Sequence, residues 1–108
     1  MANPFAKFVT KSSKVKVKAL NNATVEVREP TISEVSDFYK MLTGEDGKFN
    51  NANFLDAKID RVASCMIEPK MTSDELKALG SSSADAIGEI YDAIEALIAK
   101  PEGDAEGN

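Results

Sequence analysis

The fold is decided by residues 14–28, KVKVKALNNATVEVR. At both ends of this segment valine alternates with a charged or polar residue, which is the period of a β-strand with one buried face. Between the two ends lie Asn21 and Asn22, a residue type that accepts the positive φ of tight turns. The segment therefore predicts a β-hairpin whose valines face the core. Its lysines Lys14, Lys16 and Lys18 are expected on the solvent face.

Two capping boxes predict helix starts behind the hairpin. Thr31 and Glu34 have the spacing that opens a first helix, and Thr72 and Glu75 repeat it at the start of a short third helix. A second helix is predicted over residues 53–67. With a further helix near the end of the chain, the fold is predicted to be α+β and mostly α-helical, an N-terminal β-hairpin followed by about four amphipathic helices.

Apolar stripes with helical spacing define the expected core. The fourth helix is predicted from the serines at 81–83 to about residue 100, and Pro69 is expected to stop the second helix. The stripes comprise Ile32, Val35, Phe38, Tyr39 and Leu42 on the first helix, Leu55, Ile59, Val62 and Met66 on the second, Leu76 and Leu79 on the third, and Ile87, Ile90, Tyr91, Ile94, Leu97 and Ile98 on the fourth.

The domain organisation is predicted from length and composition. A chain of 108 residues has the size of one ordinary domain. Residues 1–13 are expected to be a flexible arm, residues 14–100 a single globular domain, and residues 101–108 a polar, disordered tail. Phe5 and Phe8 give the arm an apolar side, which can pack on its own core or dock on a neighbour.

The composition argues against an enzyme. The chain has no histidine and one cysteine, Cys65, so the commonest general base and the commonest zinc ligand are both missing. Its glycines are scattered and form no phosphate-binding loop. A hydrolase that uses carboxylates alone is disfavoured, because acidic residues on helices usually form a solvated face. We expect no catalytic site, no cofactor and no metal. The lone cysteine and the lack of a long apolar run favour a cytoplasmic protein without a membrane span.

The charge is unevenly distributed. Residues 1–30 hold six basic and two acidic side chains, whereas residues 31–108 hold seven basic and sixteen acidic ones. This asymmetry predicts a homo-oligomer that associates head to tail, unless the acids serve only solubility. The candidate self-association residues are the hairpin lysines Lys14, Lys16 and Lys18 and the acidic strip Asp85, Glu89, Asp92 and Glu95 of the last helix.

Two local patterns are similar to those of other functional classes. The string around Ser83 is similar to the attachment site of acyl carrier proteins, but Ser82 stands where those proteins have an acid, and a serine-rich helix cap explains the string better. The basic hairpin could contact nucleic-acid phosphates. It has no aromatic residue to stack on bases, and the rest of the chain is acidic, so nucleic acid is a weaker alternative.

The order of elements resembles the tail assembly chaperones of long-tailed bacteriophages, over roughly residues 14–99. The resemblance is carried by VASCMIEPKMT at 62–72, where a helix end is followed by an acid-proline pair and a capped short helix. It is also carried by DELKAL at 74–79, which leads to the closing helix AIGEIYDAI at 86–94, and by the helix start REPT at 28–31.

The resemblance implies a function in tail assembly. Such proteins bind the long helical tape measure protein in the host cytoplasm, keep it soluble, help to recruit the major tail tube protein, and are absent from the finished virion. A longer form of such proteins often arises by ribosomal frameshifting near the end of the gene. A protein with this task needs adaptable apolar side chains on its surface. The candidate partner contacts are Phe5, Phe8, Met41, Met66 and Met71.

Overall fold

A computed structural model describes residues 3–99, and the predicted tail at 101–108 lies outside the described residues. The α+β prediction is confirmed: the described residues form a three-stranded antiparallel sheet in the order β1-β2-β3 and four α-helices. The strands are β1 (Ser12–Val17), β2 (Ala23–Arg28) and β3 (Met66–Glu68), and the helices are α1 (Ile32–Leu42), α2 (Asn51–Cys65), α3 (Ser73–Lys77) and α4 (Ala84–Ala99), with 3-10 turns at Ala6–Phe8, Lys18–Leu20 and Ser81–Ser83.

The predicted hairpin is confirmed by the pairing of β1 with β2. Val15 lies opposite Val25, and the turn contains Asn21 and Asn22 with φ angles of 57° and 64°. The strand begins two residues earlier than predicted, at Ser12. Pairing extends toward the N-terminus because the Glu29 N–H donates to the Lys11 carbonyl oxygen at 2.8 Å. The predicted arm is therefore shorter than 13 residues.

Both capping boxes are present. The Thr31 hydroxyl accepts the Glu34 N–H at 3.2 Å, and the Glu34 carboxylate accepts the Thr31 N–H at 2.8 Å. Thr72 and Glu75 exchange the same two hydrogen bonds, at 3.1 and 2.8 Å. These bonds satisfy N–H groups that a helix start leaves unpaired. Residues three apart in the chain thus set where α1 and α3 begin.

The third strand corrects the predicted second helix. Residues 66 and 67 are predicted at the end of that helix, but residues 66–68 form a strand that pairs with β2, with Val27 opposite Met66 and Glu26 opposite Glu68. The helix α2 therefore ends at Cys65. Three residues are too few to show whether an apolar pattern belongs to a helix or to a strand. Here the pairing with β2 makes this segment a strand.

The core lies between the valine face of the sheet and helices α2 and α4. Its buried members include Val17, Val25, Val27, Ile59, Val62, Leu76, Ile87, Ile90 and Ile94. Five predicted core residues are wrong, because Ile32, Tyr39, Leu55, Leu79 and Ile98 are exposed. Helix α1 packs chiefly against α2, so part of its apolar stripe extends beyond any neighbouring element. The Ile32 side chain, at the first position of α1, is 90% exposed.

Candidate partner-binding surface

An apolar cleft of about 660 Å³ lies where the N-terminal turn meets the start of α1 and the end of α4. Phe5 and Phe8 form one wall, with ring centroids 6.2 Å apart. Pro30, Ile32 and Ile98 complete its apolar lining. Ile32 is almost fully solvent-exposed, and both phenylalanine side chains are more than half exposed. Burying these exposed apolar side chains against an apolar group of another molecule would be favourable, so the cleft is a candidate binding surface.

Two residues of the cleft lining, Lys11 and Glu29, are held by hydrogen bonds to each other. The Glu29 carboxylate accepts the Lys11 N–H at 2.9 Å, and the Glu29 N–H donates to the Lys11 carbonyl oxygen. These bonds tie the residue before β1 to the residue after β2. The 3-10 turn Ala6–Phe8 ends three residues before this anchored position, and Phe5 and Phe8 line the cleft together with Ile32.

The five predicted partner contacts do not lie together. Phe5 and Phe8 line the cleft. Met41 is half-buried and lines a separate cavity of about 240 Å³ between α1 and α2. Met71 packs against the core, half-buried. The prediction for Met66 is wrong: its side chain is 2% exposed, because the pairing of β3 with β2 places it inside the core.

Lys18 and three of the acids predicted for self-association lie close together within one copy. Lys18 lines a surface depression with Asp85, Glu89 and Asp92 of α4. The Glu89 carboxylate accepts the backbone N–H groups of Lys18 and Ala19, at 2.7 and 2.9 Å. This carboxylate therefore caps the 3-10 turn that closes the hairpin, and α4 is held to the sheet there.

Glu95 also has an internal partner. Its carboxylate accepts a hydrogen bond from Arg61, whose side chain is 3% exposed. The Arg61 guanidinium carbon lies 4.3 Å from the centroid of the Phe38 ring, which adds a cation–π contact. Sequence reasoning assigned no role to Arg61. An arginine in the middle of an amphipathic helix gives no local signal that an acid 34 residues away will neutralise it.

Lys14 and Lys16 lie outside the depression that Lys18 lines, on the open face of the hairpin. Both are exposed on β1, and neither forms an ion pair with a carboxylate among residues 3–99. Lys14 lies opposite Glu26 in the register, and Glu26 lies opposite Glu68. The basic stripe is therefore one strand wide and has acids beside it.

A second apolar surface was missed by the sequence analysis. Five aromatic rings form a chain along α1, α2 and α4, with neighbouring centroids 5.9 to 6.5 Å apart, in the order Tyr39, Phe38, Tyr91, Phe54 and Phe49. The two end members, Tyr39 and Phe49, are about 60% exposed. Their spacing in the sequence is irregular, because the rings come from three helices and a loop.

The pKa values of Glu34 and Cys65 are displaced in opposite directions. Two hydrogen bonds from Arg28, at 2.8 and 2.9 Å, lower the pKa of Glu34 to about 2. Arg28 also donates to the Ser64 carbonyl oxygen at 2.8 Å, so it joins α1, β2 and α2. Burial raises the pKa of the Cys65 thiol to about 11, which makes it a poor nucleophile near neutral pH.

Within residues 3–99 no group of three or more histidine, cysteine or acidic side chains is arranged to hold a metal ion. No α-helix in this part of the chain combines the length and apolar character needed to cross a membrane. Comparison with known proteins found no matching family, no matching curated protein and no matching solved structure.

Proposed function

We propose that the protein is a tail assembly chaperone of a long-tailed bacteriophage, which binds the tape measure protein in the host cytoplasm before the tail tube forms. The observation that carries the proposal is the exposed apolar cleft at Phe5, Phe8 and Ile32. Together with the family resemblance of residues 14–99, it favours a protein that covers an apolar helix of another chain. We propose that the protein has no catalytic role.

The size of the cleft matches side chains from one face of a client helix. A helix with its side chains is about 10 Å wide, so a cleft of about 660 Å³ takes a few of its apolar side chains. Each large apolar side chain contributes about 1.5–3 kcal/mol when it is fully buried. Binding by one copy is therefore weak, and many copies along a long client provide the strength.

Self-association belongs to the same proposal. Lys14 and Lys16 of one copy are proposed to meet the exposed acids Asp85 and Asp92 of the next. Opposite charges on different faces generate a repeating assembly, which suits a long client and the recruitment of the major tail tube protein. Sedimentation at low salt should show concentration-dependent oligomers that dissociate in high salt. A monomer at every concentration would contradict this part of the proposal.

Co-expression with the tape measure protein of the same phage tests client binding. The wild-type chain should keep that protein soluble and co-purify with it. Ile32→Ser should lower the affinity about tenfold, because one apolar side chain at the cleft is lost. Leu55→Ser is the matched control, since Leu55 is 59% exposed and lies outside the cleft. A tape measure protein that fails to co-purify with wild type would contradict the proposal.

The alternative, a nucleic-acid-binding regulator, has less support. It would depend on Lys14 and Lys16, whose stripe is one strand wide. Glu26 and Glu68 on the neighbouring strands would repel phosphate groups. Filter binding of duplex DNA at low salt distinguishes the two functions, and we expect no binding at micromolar concentrations of the protein.

A further inference from the structure

The cavity of about 240 Å³ between α1 and α2 has polar walls. Residues 34, 37, 38 and 41 of α1 and residues 57, 60, 61 and 64 of α2 line it, and each set has the spacing of one helix face. Helix faces that pack on each other in a small domain are usually apolar. These two faces instead place three acids and an arginine around an open space, namely Glu34, Asp37, Asp60 and Arg61.

The Arg61 guanidinium has unused hydrogen-bond donors at this cavity. Its Nη1 binds Glu95, but neither Nε nor Nη2 has a hydrogen-bond partner among residues 3–99. In this part of the chain every sealed side-chain nitrogen or oxygen of a buried or half-buried residue has a partner, so solvent reaches both nitrogens. The Arg61 side chain is 3% exposed, and the cavity is the space that it lines. One guanidinium edge, with two parallel N–H groups, is therefore open to a ligand.

Two carboxylates supply acceptors at the same cavity. The Oδ1 of Asp60 accepts the Ser73 hydroxyl at 2.6 Å, and its Oδ2 has no partner among residues 3–99. Asp37 is exposed and forms no hydrogen bond or ion pair within the described part of the chain. The third acid, Glu34, already binds Arg28 through both oxygens. A ligand therefore meets two donors from Arg61 and the open acceptors of Asp37 and Asp60.

The charges at the cavity favour a neutral ligand group. Arg28 neutralises Glu34 and Glu95 neutralises Arg61, so Asp37 and Asp60 remain unmatched. A carboxylate would be repelled by these two acids, whereas an ammonium group has no acceptor for Arg61 and would be repelled by it. A primary carboxamide avoids both conflicts, because its oxygen accepts hydrogen bonds and its NH₂ group donates them.

We propose that this cavity binds a primary carboxamide, the group that ends asparagine and glutamine side chains. The amide oxygen accepts from Nε and Nη2 of Arg61, and the amide NH₂ group donates to the carboxylates of Asp37 and Asp60. Phe38 and Met41 line the same cavity and pack on the methylene groups that carry the amide. None of these residues lines the apolar cleft or belongs to the proposed self-association contacts, so the site does not rest on the proposed function.

NMR titration of the full chain with capped amino acids tests the chemistry of the site. The N-acetyl methylamides of glutamine, glutamate and lysine share one backbone and differ in the side chain. The glutamine derivative should bind at least about tenfold more tightly than the other two, as expected for one hydrogen bond to a charged group. The Nε–H resonance of Arg61 should shift with it, which reports on Arg61 without a substitution that could unfold the chain. Equal or tighter binding of glutamate or lysine, or an unmoved Arg61 resonance, would overturn the proposal.

Asp37→Ala removes one proposed acceptor at an exposed position of α1. It should weaken binding of the glutamine derivative about fivefold or more. Glu45→Ala is the matched control, since Glu45 is an exposed acid in the loop after α1, lies outside the cavity and changes the net charge equally. Unchanged affinity in Asp37→Ala, or an equal loss in Glu45→Ala, would contradict the assigned acceptor and overturn the proposal.

Propionamide distinguishes two sources of the bound group, because it carries the carboxamide without a peptide backbone. Binding as tight as that of the glutamine derivative would assign the site to a free small amide. Weaker binding would assign it to an asparagine or glutamine side chain of another protein chain. Both results support a carboxamide site, and they differ in which molecule supplies the group.

Discussion

The buried guanidinium of Arg61 on α2 is neutralised by the carboxylate of Glu95 on α4. Arg61 has a side-chain exposure of 3%, and Glu95 one of 37%, so the pair reaches from the interior to the surface. The guanidinium carbon of Arg61 also lies 4.3 Å from the centroid of the Phe38 ring. One charge therefore holds α1, α2 and α4 together, and removing its partner would leave it buried and unpaired.

The first prediction concerns this pair. Glu95→Gln should lower the free energy of unfolding by about 1–3 kcal/mol, less than a fully buried pair because Glu95 is partly exposed. Urea denaturation at neutral pH measures the change. Asp92→Asn is the control, since Asp92 is exposed on the same helix and should change stability by less than about 0.5 kcal/mol. Equal effects of both substitutions would contradict a structural role for the pair.

The second prediction concerns acid stability. Because Arg28 lowers the pKa of folded Glu34 to about 2 from its ordinary value of 4.5, the unfolded chain binds more protons between these pH values. This contribution to stability is complete above pH 4.5 and is lost as the pH falls toward 2. Glu34→Gln should therefore show a shallower loss of stability between pH 5 and pH 3 by urea denaturation. Glutamine keeps the capping-box acceptor, so α1 should still begin at Ile32. If wild type and Glu34→Gln lose stability in parallel between pH 5 and pH 3, the lowered pKa of Glu34 is contradicted.

The third prediction concerns the cap that Glu89 places on the hairpin turn. Glu89→Ala leaves the N–H groups of Lys18 and Ala19 without their acceptor. The free energy of unfolding should therefore fall by about 1–2 kcal/mol. Hydrogen exchange should accelerate at these two amides first. Asp85→Ala, which removes an exposed acid one turn earlier on α4, is the control. If Asp85→Ala accelerates the same amides equally, the effect comes from general charge and not from the cap.

The fourth prediction concerns Cys65. Burial raises its pKa from the ordinary value of 9.0 to about 11, so its thiolate fraction near pH 8 is about a hundredfold lower than in the unfolded chain. Reaction with a disulfide reagent should therefore be at least that much slower in buffer than in urea. Absorbance of the released thiolate gives both rates. A fast native reaction would mean that α2 opens readily at its C-terminal end.

The local elements followed from the sequence because short-range bonds specify them. Thr31 and Glu34, like Thr72 and Glu75, bond across three residues, and such bonds need no distant partner. Valine alternation placed Val17, Val25 and Val27 on one face, and a single face of the sheet is covered by helices. These features fixed the hairpin, the starts of α1 and α3, and the α+β class.

The surface was decided by the tertiary arrangement. Helical spacing places Ile32 and Leu42 on one stripe, but only Leu42 meets a neighbouring element and is buried. Met66 is buried because it lies on β3, which pairs with β2, so a methionine predicted at the surface is a core residue. Glu95 acquired its partner from another helix. Periodicity determines which side chains share a face, whereas burial and ion pairing depend on which elements meet that face. The sequence by itself therefore determined the elements of this protein, and only packing decided which apolar and charged groups it offers to a partner.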